Sequence, residues 1–407
     1  MNTNKTYLRL TRRSFVRGIV STVAIGATTK LAACGSGSDT ASTPSTADPA
    51  TPDTAAPEPA APEVIKVGFI YVGPQDDFGY NQAHAEGAAG IAGLDTVTII
   101  EEANVPETVA VQETMRSMIE LDGVTVLFPT SFGYFDPHIL ALAEEFPDVQ
   151  FFHAGGLYEE GVTPENVGSY FGYIDEGQYI AGIIAGHASE TGKLGFVAAK
   201  PIPQVLRNIN SFTLGARTVN PEATTQVVFT GDWALPVKEA EAVNSMADQG
   251  IEVITCHVDS PKVVMETAER RGMLTSGYHA DQSALAPEGY LTGAEWDWNN
   301  IYNNYMVMLS EGNTLMNGGI PHLVRGGLKD GFCKLSPFGP AVSDEAKAAA
   351  EEAIAQFNSD SGLTIYTGEL KDNQGNVVIE SGTELAQIDP VLEQMDYLIE
   401  GVIGSIG

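Results

Sequence analysis

The stretch Val64-Ile65-Lys66-Val67-Gly68-Phe69-Ile70-Tyr71 is a short run of mostly apolar and β-branched residues. A turn follows it, and a helical stretch then extends from about Tyr80 to Gly90. Short apolar runs bounded by turn residues are typical of buried β-strands. Together the two segments predict a β-loop-α unit, which is the building block of layered α/β folds.

Similar units recur along the chain as far as about residue 278. Strands that are buried on both faces and separated by helices form parallel sheets with right-handed crossovers, so an α/β protein is predicted. The units are too numerous for one compact sheet, which favours two similar α/β lobes. The further predicted strands span residues 96–100, 124–128, 149–153, 194–198, 225–229, 253–257 and 273–278.

Candidate functional residues follow from this topology, because open α/β sheets bind ligands beyond the carboxyl ends of their strands. Aromatic and acidic residues dominate those positions. Such a set suits a flat ligand that stacks on rings and donates hydrogen bonds to carboxylates. The candidates after predicted strands, or on the helix openings that follow them, are Asp77, Tyr80, Asn81, Phe132, Gly155, Asn208, Trp233, Asp259 and Asp281.

Several of these residues also have ordinary structural interpretations. Asp259 and Asp281 each precede a predicted helix and could be N-caps, and Phe132 could support the wall of a cleft instead of lining it. His153, His257 and His279 follow strands and could converge on a metal or act in acid–base chemistry, or could simply be hydrogen-bonded cleft residues. Cys256 and Cys333 could pair in an oxidising compartment or remain buried thiols.

Composition and motifs exclude several functions. With 21 basic and 53 acidic residues the chain has a net charge of −32, which disfavours nucleic-acid binding. The sequence lacks a dinucleotide-binding G-x-G-x-x-G after the first strand, a phosphate-binding P-loop, a G-x-S-x-G elbow, H-E-x-x-H and C-x-x-C. No metal site and no cofactor are therefore expected, and a non-enzymatic protein is favoured.

The first 63 residues are predicted to lie outside the fold. Thr11-Arg12-Arg13-Ser14-Phe15-Val16-Arg17 resembles a twin-arginine export signal, and Leu31-Ala32-Ala33-Cys34-Gly35 resembles a lipobox, which implies cleavage before Cys34 and lipidation of its sulfur. Residues 1–33 are thus predicted to be a signal peptide. Residues 34–63, rich in Ala, Thr, Pro and Ser, are predicted to be a disordered tether.

The body of the chain resembles the basic membrane protein family, which comprises the substrate-binding lipoproteins of ABC importers. The resemblance begins with the strand, loop and helix from Lys66 to Gly87 and covers the chain from about Val64 onward. Further motifs follow in the same order: Phe151-Phe152-His153-Ala154-Gly155-Gly156, Gly177-Gln178-Tyr179-Ile180-Ala181-Gly182, Asn210-Ser211-Phe212-Thr213-Leu214-Gly215 and Gly277-Tyr278-His279-Ala280-Asp281.

The resemblance implies a type I periplasmic binding protein fold, in which three hinge crossovers join two Rossmann-like lobes. On that basis the first lobe is expected to comprise residues 64–173 and 296–322. The second lobe is expected to comprise residues 174–295 and 323–407.

The resemblance also implies roles for particular residues. Tyr80 corresponds to the stacking aromatic residue of the first lobe, with Asp77 and Asn81 beside it. Trp233 corresponds to the opposing aromatic residue, and Asp281 to an acid that follows a strand of the second lobe. The ligand implied is a purine base or nucleoside of adenine or guanine type, and the segment Trp296-Asp297-Trp298, a departure from the family pattern, leaves the choice between base and nucleoside open.

The function implied is capture of this ligand by a monomeric lipoprotein, anchored on the extracytoplasmic face of the cell membrane, that delivers it to an ABC permease. The alternative is a ligand-sensing receptor lipoprotein that signals to a membrane sensor partner. Closure of the same cleft would serve either function, so the sequence leaves both open.

Overall fold

The computed structural model describes residues 64–406. The predicted signal peptide (1–33), the lipidation site Cys34 and the tether (34–63) lie outside the described residues. Within residues 64–406, no helix is both long enough and apolar enough to cross a membrane.

The described chain alternates between strands and helices, as the sequence predicts. The strands are β1 (Ile65–Ile70), β2 (Val97–Glu102), β3 (Val126–Pro129), β4 (Gln150–Ala154), β5 (Val167–Gly172), β6 (Lys193–Ala198), β7 (Thr224–Phe229), β8 (Val253–His257), β9 (Leu274–His279), β10 (Tyr290–Trp296), β11 (Leu323–Gly326), β12 (Cys333–Leu335), β13 (Tyr366–Thr367), β14 (Leu370–Lys371), β15 (Val377–Ile379), β16 (Glu384–Leu385) and β17 (Val402–Ile403). The α-helices are α1 (Tyr80–Ile91), α2 (Val109–Glu120), α3 (Leu140–Glu145), α4 (Asp175–Ala188), α5 (Pro203–Val219), α6 (Pro236–Asp248), α7 (Lys262–Arg270), α8 (Trp298–Ser310) and α9 (Asp344–Phe357).

The first lobe is built on a parallel sheet with the strand order β11-β5-β4-β3-β1-β2. Both faces of β1 are covered, since Val67 and Phe69 belong to one buried cluster and Ile70 belongs to another. Gly68 allows this double covering: a Cβ atom there would lie 2.9 Å from the sulfur of Met118, a residue of α2. The mostly apolar run that predicts a buried strand therefore reflects the burial of β1 on both of its faces.

The second lobe is built on a sheet with the strand order β12-β10-β9-β8-β6-β7-β17. Its strands run parallel except for β12, which is antiparallel to β10. Helices α4 and α5 of this lobe pack against each other at close range, since a Cβ atom at Gly182 would collide with the carbonyl of Phe212 and one at Gly215 with the carbonyl of Tyr179. Ser343 caps the start of helix α9, where its Oγ accepts a hydrogen bond from Ala346 N.

The chain passes between the two sheets three times. It leaves the first sheet after β5, returns after β10 to form α8, which packs on α1, and leaves again after β11. The boundary expected between residues 322 and 323 is too early, because β11 pairs with β5 of the first sheet. This four-residue strand includes one exposed residue, Leu323, and gives too weak a pattern to predict.

Residues after α9 extend the second lobe. They form the hairpin-like pairs β13–β16 and β14–β15 and end in β17, which joins the edge of the second sheet. Tyr366, Leu392 and Met395 bury their side chains in the core of this lobe. Cys256 and Cys333 are both buried free thiols, so the alternative of a disulfide between them is wrong.

Candidate functional site

A cavity of about 310 Å³ lies between the lobes, at the carboxyl ends of strands from both sheets. Its size lies within the range of roughly 300–1,000 Å³ that is typical of small-molecule sites. The residues that line it are Tyr80, Glu107, Ser131, Phe132, Ala154, Gly155, Gly156, Leu157, Phe171, Gly172, Ile174, Asp175, Ile202, Pro203, Gln204, Arg207, Asn208, Trp233, His257, Asp259, Tyr278, His279, Trp296, Trp298, Arg325, Leu392 and Glu393.

Aromatic side chains form much of the cavity wall and hold one another in place. The Tyr80 hydroxyl donates a hydrogen bond to the carbonyl of Thr130 at 2.6 Å, and the Tyr80 ring meets the His279 ring edge-on at 5.4 Å. Trp296 stacks on Trp298 with a centroid distance of 4.6 Å. These contacts present fixed rings to the cavity, which favours ligands with an aromatic face.

His279 has a conformation that departs from ordinary strand geometry. Its φ angle is +77°, in the left-handed region that non-glycine residues seldom occupy. Its Nδ1 accepts a hydrogen bond at 2.8 Å from the indole N–H of Trp296, so the ring proton is on Nε2, which has no hydrogen-bond partner among residues 64–406. Burial lowers the pKa of His279 well below its usual value, so the ring is neutral and can donate from Nε2.

His257 and Asn208 form a second polar element on the second-lobe side of the cavity. The Asn208 amide donates hydrogen bonds to His257 Nδ1 and to the Tyr278 hydroxyl, both at 2.9 Å. These bonds use both amide protons and leave Asn208 Oδ1 as an acceptor without a partner in the described part of the chain. Burial lowers the pKa of His257 to about 3, so this ring is also neutral.

Asp259 supplies the cavity with a carboxylate. Its backbone is fixed on two sides: its N–H donates to the carbonyl of Trp233, and its carbonyl accepts from the N–H of Tyr80, each at 2.9 Å. Its carboxylate takes no hydrogen bond from any residue between 64 and 406. Burial, with a smaller contribution from the nearby Asp77 carboxylate, raises the pKa of Asp259 to about 7. A group in this state gains from a ligand that donates N–H bonds to it.

Trp233 lies next to Asp259 and is half-buried. Gly231, with a φ angle of +99°, turns the chain before it, and Asp232 Oδ1 accepts a hydrogen bond from the Trp233 N–H at 3.0 Å. Lys200 places its Nζ 5.2 Å from the centre of the indole ring. The indole therefore has a defined position at the cavity without being part of a closed core.

A buried ion pair forms another part of the wall. Arg207 Nε lies 2.9 Å from Asp175 Oδ2, and the guanidinium lies over the ring of Tyr173 at 4.9 Å. Desolvation lowers the pKa of Arg207, but the Asp175 carboxylate together with Tyr366 and Tyr173 raises it by more, so the pKa is raised overall. The guanidinium thus stays charged, and the Asp175 carboxylate beside it compensates that charge within the cavity wall.

Hydrogen bonds tie the lobes together beside the cavity. In addition to the bond from Tyr80 N to Asp259 O, Ser260 Oγ donates to the carbonyl of Asp77 at 2.8 Å, and Gln282 Nε2 donates to the carbonyl of Phe78 at 2.6 Å. These bonds join the loop before α1, or the first residue of α1, to loops of the second lobe. The structure is therefore in a closed arrangement.

The structure places the residues predicted from the sequence in two groups. Those that line the cavity are Tyr80, Phe132, Gly155, Asn208, Trp233 and Asp259. Asp77, Asn81 and Asp281 do not line it. The carboxylate of Asp77 accepts backbone N–H bonds from Gly79, Asn81 and Gln82, together with the side-chain amide of Asn81, at 2.8–3.1 Å.

These bonds correct the role expected for three residues. Asp77 stabilises the first turn of α1, where unpaired N–H groups favour a carboxylate, and Asn81 links Asp77 to the N–H of Gly73. Asp281 is exposed and accepts the N–H of Ser283 at 2.8 Å, as the alternative capping interpretation has it. All three therefore organise loops near the site.

We expect Asp77→Ala to lower the free energy of unfolding by about 1–3 kcal/mol, because it leaves buried donors at the start of α1 without an acceptor. Urea denaturation of the body would measure this. The neighbouring Asp76 is exposed, so Asp76→Ala is the matched control and should change stability by less than about 0.5 kcal/mol. Equal effects of the two substitutions would contradict the role assigned to Asp77.

Several cavity residues escaped the sequence-based prediction. Trp296 and Trp298 flank a crossover between the lobes, and a Trp-rich segment at such a position is a usable signal. Asp175 and Arg207 are helical residues whose pairing depends on how α4 packs on α5. Arg325 and Glu393 come from a short edge strand and from the C-terminal region, where no strand-end rule applies.

The histidines do not form a metal site. His153 contacts the Phe132 carbonyl and Ser169 and does not line the cavity. His257 and His279 do line it, with ring centres 5.8 Å apart, and each is held by its own polar partner. Within residues 64–406 no three His, Cys, Asp or Glu side chains are arranged to hold a metal ion.

Comparison with known proteins identifies the family of this chain. A family model for PnrA-like ABC transporter substrate-binding proteins, the basic membrane protein (Bmp) family, matches residues 64–374. A purine-binding protein of Brucella abortus is 34% identical over 342 residues, which cover 83% of this chain and 93% of that protein. A Haloferax volcanii protein that carries the name of an ABC transporter glucose-binding protein is 34% identical over 347 residues, covering 84% and 81%.

Solved structures share the fold. The solute-binding protein of an ABC transporter system from Conexibacter woesei superimposes with a TM-score of 0.59 at 22% identity, covering 73% of this chain and 97% of that one. The two-lobed type I periplasmic binding protein fold expected from the sequence is thereby confirmed.

Proposed function

The chain belongs to the Bmp family of PnrA-like ABC transporter substrate-binding proteins, and from this premise we propose that it captures a purine base or nucleoside in the cavity between its lobes. Proteins of this class act outside the cytoplasm and pass a small molecule to a permease, and the family is not one of enzymes. The purine is the specific part of the proposal. The similar protein from Brucella abortus is named for purine binding, and the cavity supplies independent support.

The observation that carries the proposal is the carboxylate of Asp259, unpartnered within the described residues, in a cavity walled by aromatic rings. A purine has flat faces for Tyr80 and Trp233 and ring or exocyclic N–H groups for Asp259. Stacking of a base on an aromatic side chain contributes about 1–3 kcal/mol, and a hydrogen bond to a charged group about 1.5–3 kcal/mol.

A further free polar group also matches a purine. Asn208 Oδ1 is an acceptor without a partner among residues 64–406 and can take an N–H bond from the ligand. A purine has both N–H donors and ring-nitrogen acceptors. The aromatic faces in the cavity wall, on which a planar ring system can stack, favour the purine over a hexose.

Ligand would act by stabilising the closed arrangement. Tyr80 and Phe132 belong to the first lobe, whereas Trp233 and Asp259 belong to the second, so a ligand can contact all of them only when the lobes are together. A ligand shifts a conformational equilibrium by its differential affinity for the two states. The closed form is then the form offered to the permease.

The proposal includes a lipid anchor at Cys34. It rests on the lipobox-like sequence Leu31-Ala32-Ala33-Cys34-Gly35. Mass spectrometry of the protein from its native membrane would show an N-terminal diacylated Cys34, and an unmodified Cys34 would contradict the anchor.

Titration calorimetry tests the proposed ligand. Purified residues 64–407 would be titrated with adenine, guanine, adenosine, guanosine and inosine, with glucose as the comparison. We expect one-to-one binding of at least one purine and none of glucose. Binding of glucose alone, or of no purine, would contradict the proposal that the ligand is a purine. Incubation with the nucleosides should yield no free base, since the proposed role is binding without chemistry.

The pH dependence of binding follows from Asp259. Its pKa of about 7 is that of the protein without ligand, and a ligand N–H donor requires the ionised carboxylate. Affinity should therefore be full above pH 8 and fall as the pH decreases through 7, by about tenfold between pH 8 and pH 6. Calorimetry at these two pH values would measure this, and Asp259→Asn should show a flat profile. A flat profile in the unmodified protein would contradict the contact with Asp259.

A further inference from the structure

Residues beyond the family-model match contribute to the cavity. The match ends at residue 374, yet Leu392 and Glu393 line the cavity, and Gln387 contacts the ion pair in its wall. Residues 386–395 are here called the C-terminal segment. They contribute side chains to the cavity and its wall from outside the region that the family model matches.

The C-terminal segment is anchored at both ends to the second lobe. The carbonyl and Oε1 of Gln387 both accept hydrogen bonds from Arg207 Nη2, at 2.9 and 2.8 Å. At the other end, Met395 is buried and its sulfur accepts a hydrogen bond from the Asn210 amide. Between these anchors Leu392 is fully buried, in a single 3₁₀ turn that also carries Glu393. Glu393 is therefore held at a defined position at the cavity.

Glu393 forms an ion pair with a residue of the other lobe. Its Oε2 lies 3.1 Å from Nη2 of Arg325, which is on β11 in the first lobe. The Arg325 side chain is only 11% exposed, and that of Glu393 is 34% exposed. The same Arg325 nitrogen donates to the carbonyl of Gly156, on the loop after β4. The guanidinium is thus held in position by the first lobe and pairs with a carboxylate of the second lobe.

We propose that the C-terminal segment acts as a clasp that slows ligand release, with the Arg325–Glu393 pair as its bond between the lobes. The inference rests on the proposed function in that it requires a ligand in the cavity. Arg325 lies beside the crossover that follows β11, and Glu393 belongs to the second lobe, so rotation of the lobes about the crossovers pulls the pair apart as it uncovers the ligand. The clasp therefore makes opening, and hence dissociation, slower.

The clasp is expected to act on the rate at which the ligand dissociates. Loss of one partner of a partly buried interfacial charge pair raises the dissociation rate much more than it lowers the association rate. For Glu393→Gln, which keeps the shape of the side chain, we expect about a fivefold faster release, reduced from larger values because Glu393 is partly exposed. Salt should accelerate release from the unmodified protein more than from the variant, because it screens the pair.

Stopped-flow measurement of the release of adenine, guanosine and glucose, each as a separate probe, tests the clasp. The variants are Glu393→Gln, Arg325→Gln and the double substitution, which should release ligand no faster than either single variant because one pair is being removed. Glu145→Gln is the matched control, since Glu145 pairs with Arg116 within the first lobe, away from the cavity, and it should leave release unchanged.

The outcomes separate the clasp from the purine proposal. Release from Glu393→Gln within twofold of the unmodified protein would overturn the clasp while purine binding stands. Binding of glucose but of no purine would overturn the purine, and the clasp would still be tested with glucose as the probe. Binding of no probe would overturn both. If Arg325→Gln does not fold, Glu393→Gln and its salt dependence suffice for the decision.

Discussion

Asp259→Asn is expected to weaken purine binding by about 100-fold, because it removes a charge-assisted hydrogen bond of about 1.5–3 kcal/mol and places an amide N–H₂ near the donors of the ligand. The substitution preserves the size of the side chain. It also leaves the backbone bonds from Asp259 N to Trp233 and from Tyr80 to Asp259 O in place. Calorimetric titration at pH 8, where the native carboxylate is ionised, gives the cleanest measurement.

Asp232→Asn is the control for this variant. Asp232 follows β7, pairs with Lys200 at 2.8 Å and is largely exposed, and it does not line the cavity. Its replacement should change affinity by less than about threefold, since exposed ion pairs contribute little and the Oδ1 of Asn can still accept the Trp233 N–H bond. An equal loss of affinity in both variants would mean that the charge of this surface matters in general and that Asp259 has no special contact.

Trp233→Ala is expected to weaken binding by about 30-fold, which corresponds to the loss of one base-stacking contact of about 1–3 kcal/mol. The indole lines the cavity, and the turn at Gly231 and the N–H bond to Asp232 position it. Because Trp233 is only half-buried, its removal should not lower the stability of the lobe enough to unfold it.

Two comparisons isolate the stacking contribution of Trp233. Trp233→Phe retains an aromatic face and should recover most of the affinity. Tyr158→Ala removes a ring that stacks on His322 outside the cavity, and it should leave binding unchanged. If Trp233→Ala bound as tightly as the unmodified protein, Trp233 would have no place in the site.

The sequence was informative about the fold because buried parallel strands have a strong local signature. The run from Ile65 to Ile70 has apolar residues on both faces and a glycine where α2 packs closely, and the structure confirms it as an interior strand of the first sheet. The strand Leu323–Gly326 lacks that signature, since its partner is distant in sequence and its position at the edge leaves it partly exposed. The lobe boundary lies after this strand, so the boundary predicted between residues 322 and 323 is too early.

The residues of the site could be predicted only in part, because the directions of side chains depend on tertiary packing. Position after a strand places a residue near the cleft but does not fix where its side chain points. Trp233 and Asp259 line the cavity, whereas Asp77 is drawn to the unpaired N–H groups at the start of α1. Short acidic side chains just before a helix face this competition routinely. Arg325 and Glu393 meet through tertiary packing alone, which no local pattern encodes.

The most direct test of the central claim is a crystal structure of the protein purified with no ligand added and then soaked with the purine that calorimetry identifies. We expect planar density in the cavity between the lobes, stacked on Trp233 or Tyr80, with a ligand N–H within hydrogen-bond distance of the Asp259 carboxylate. A hexose in that cavity, or a purine bound elsewhere with Asp259 still unpartnered, would contradict it.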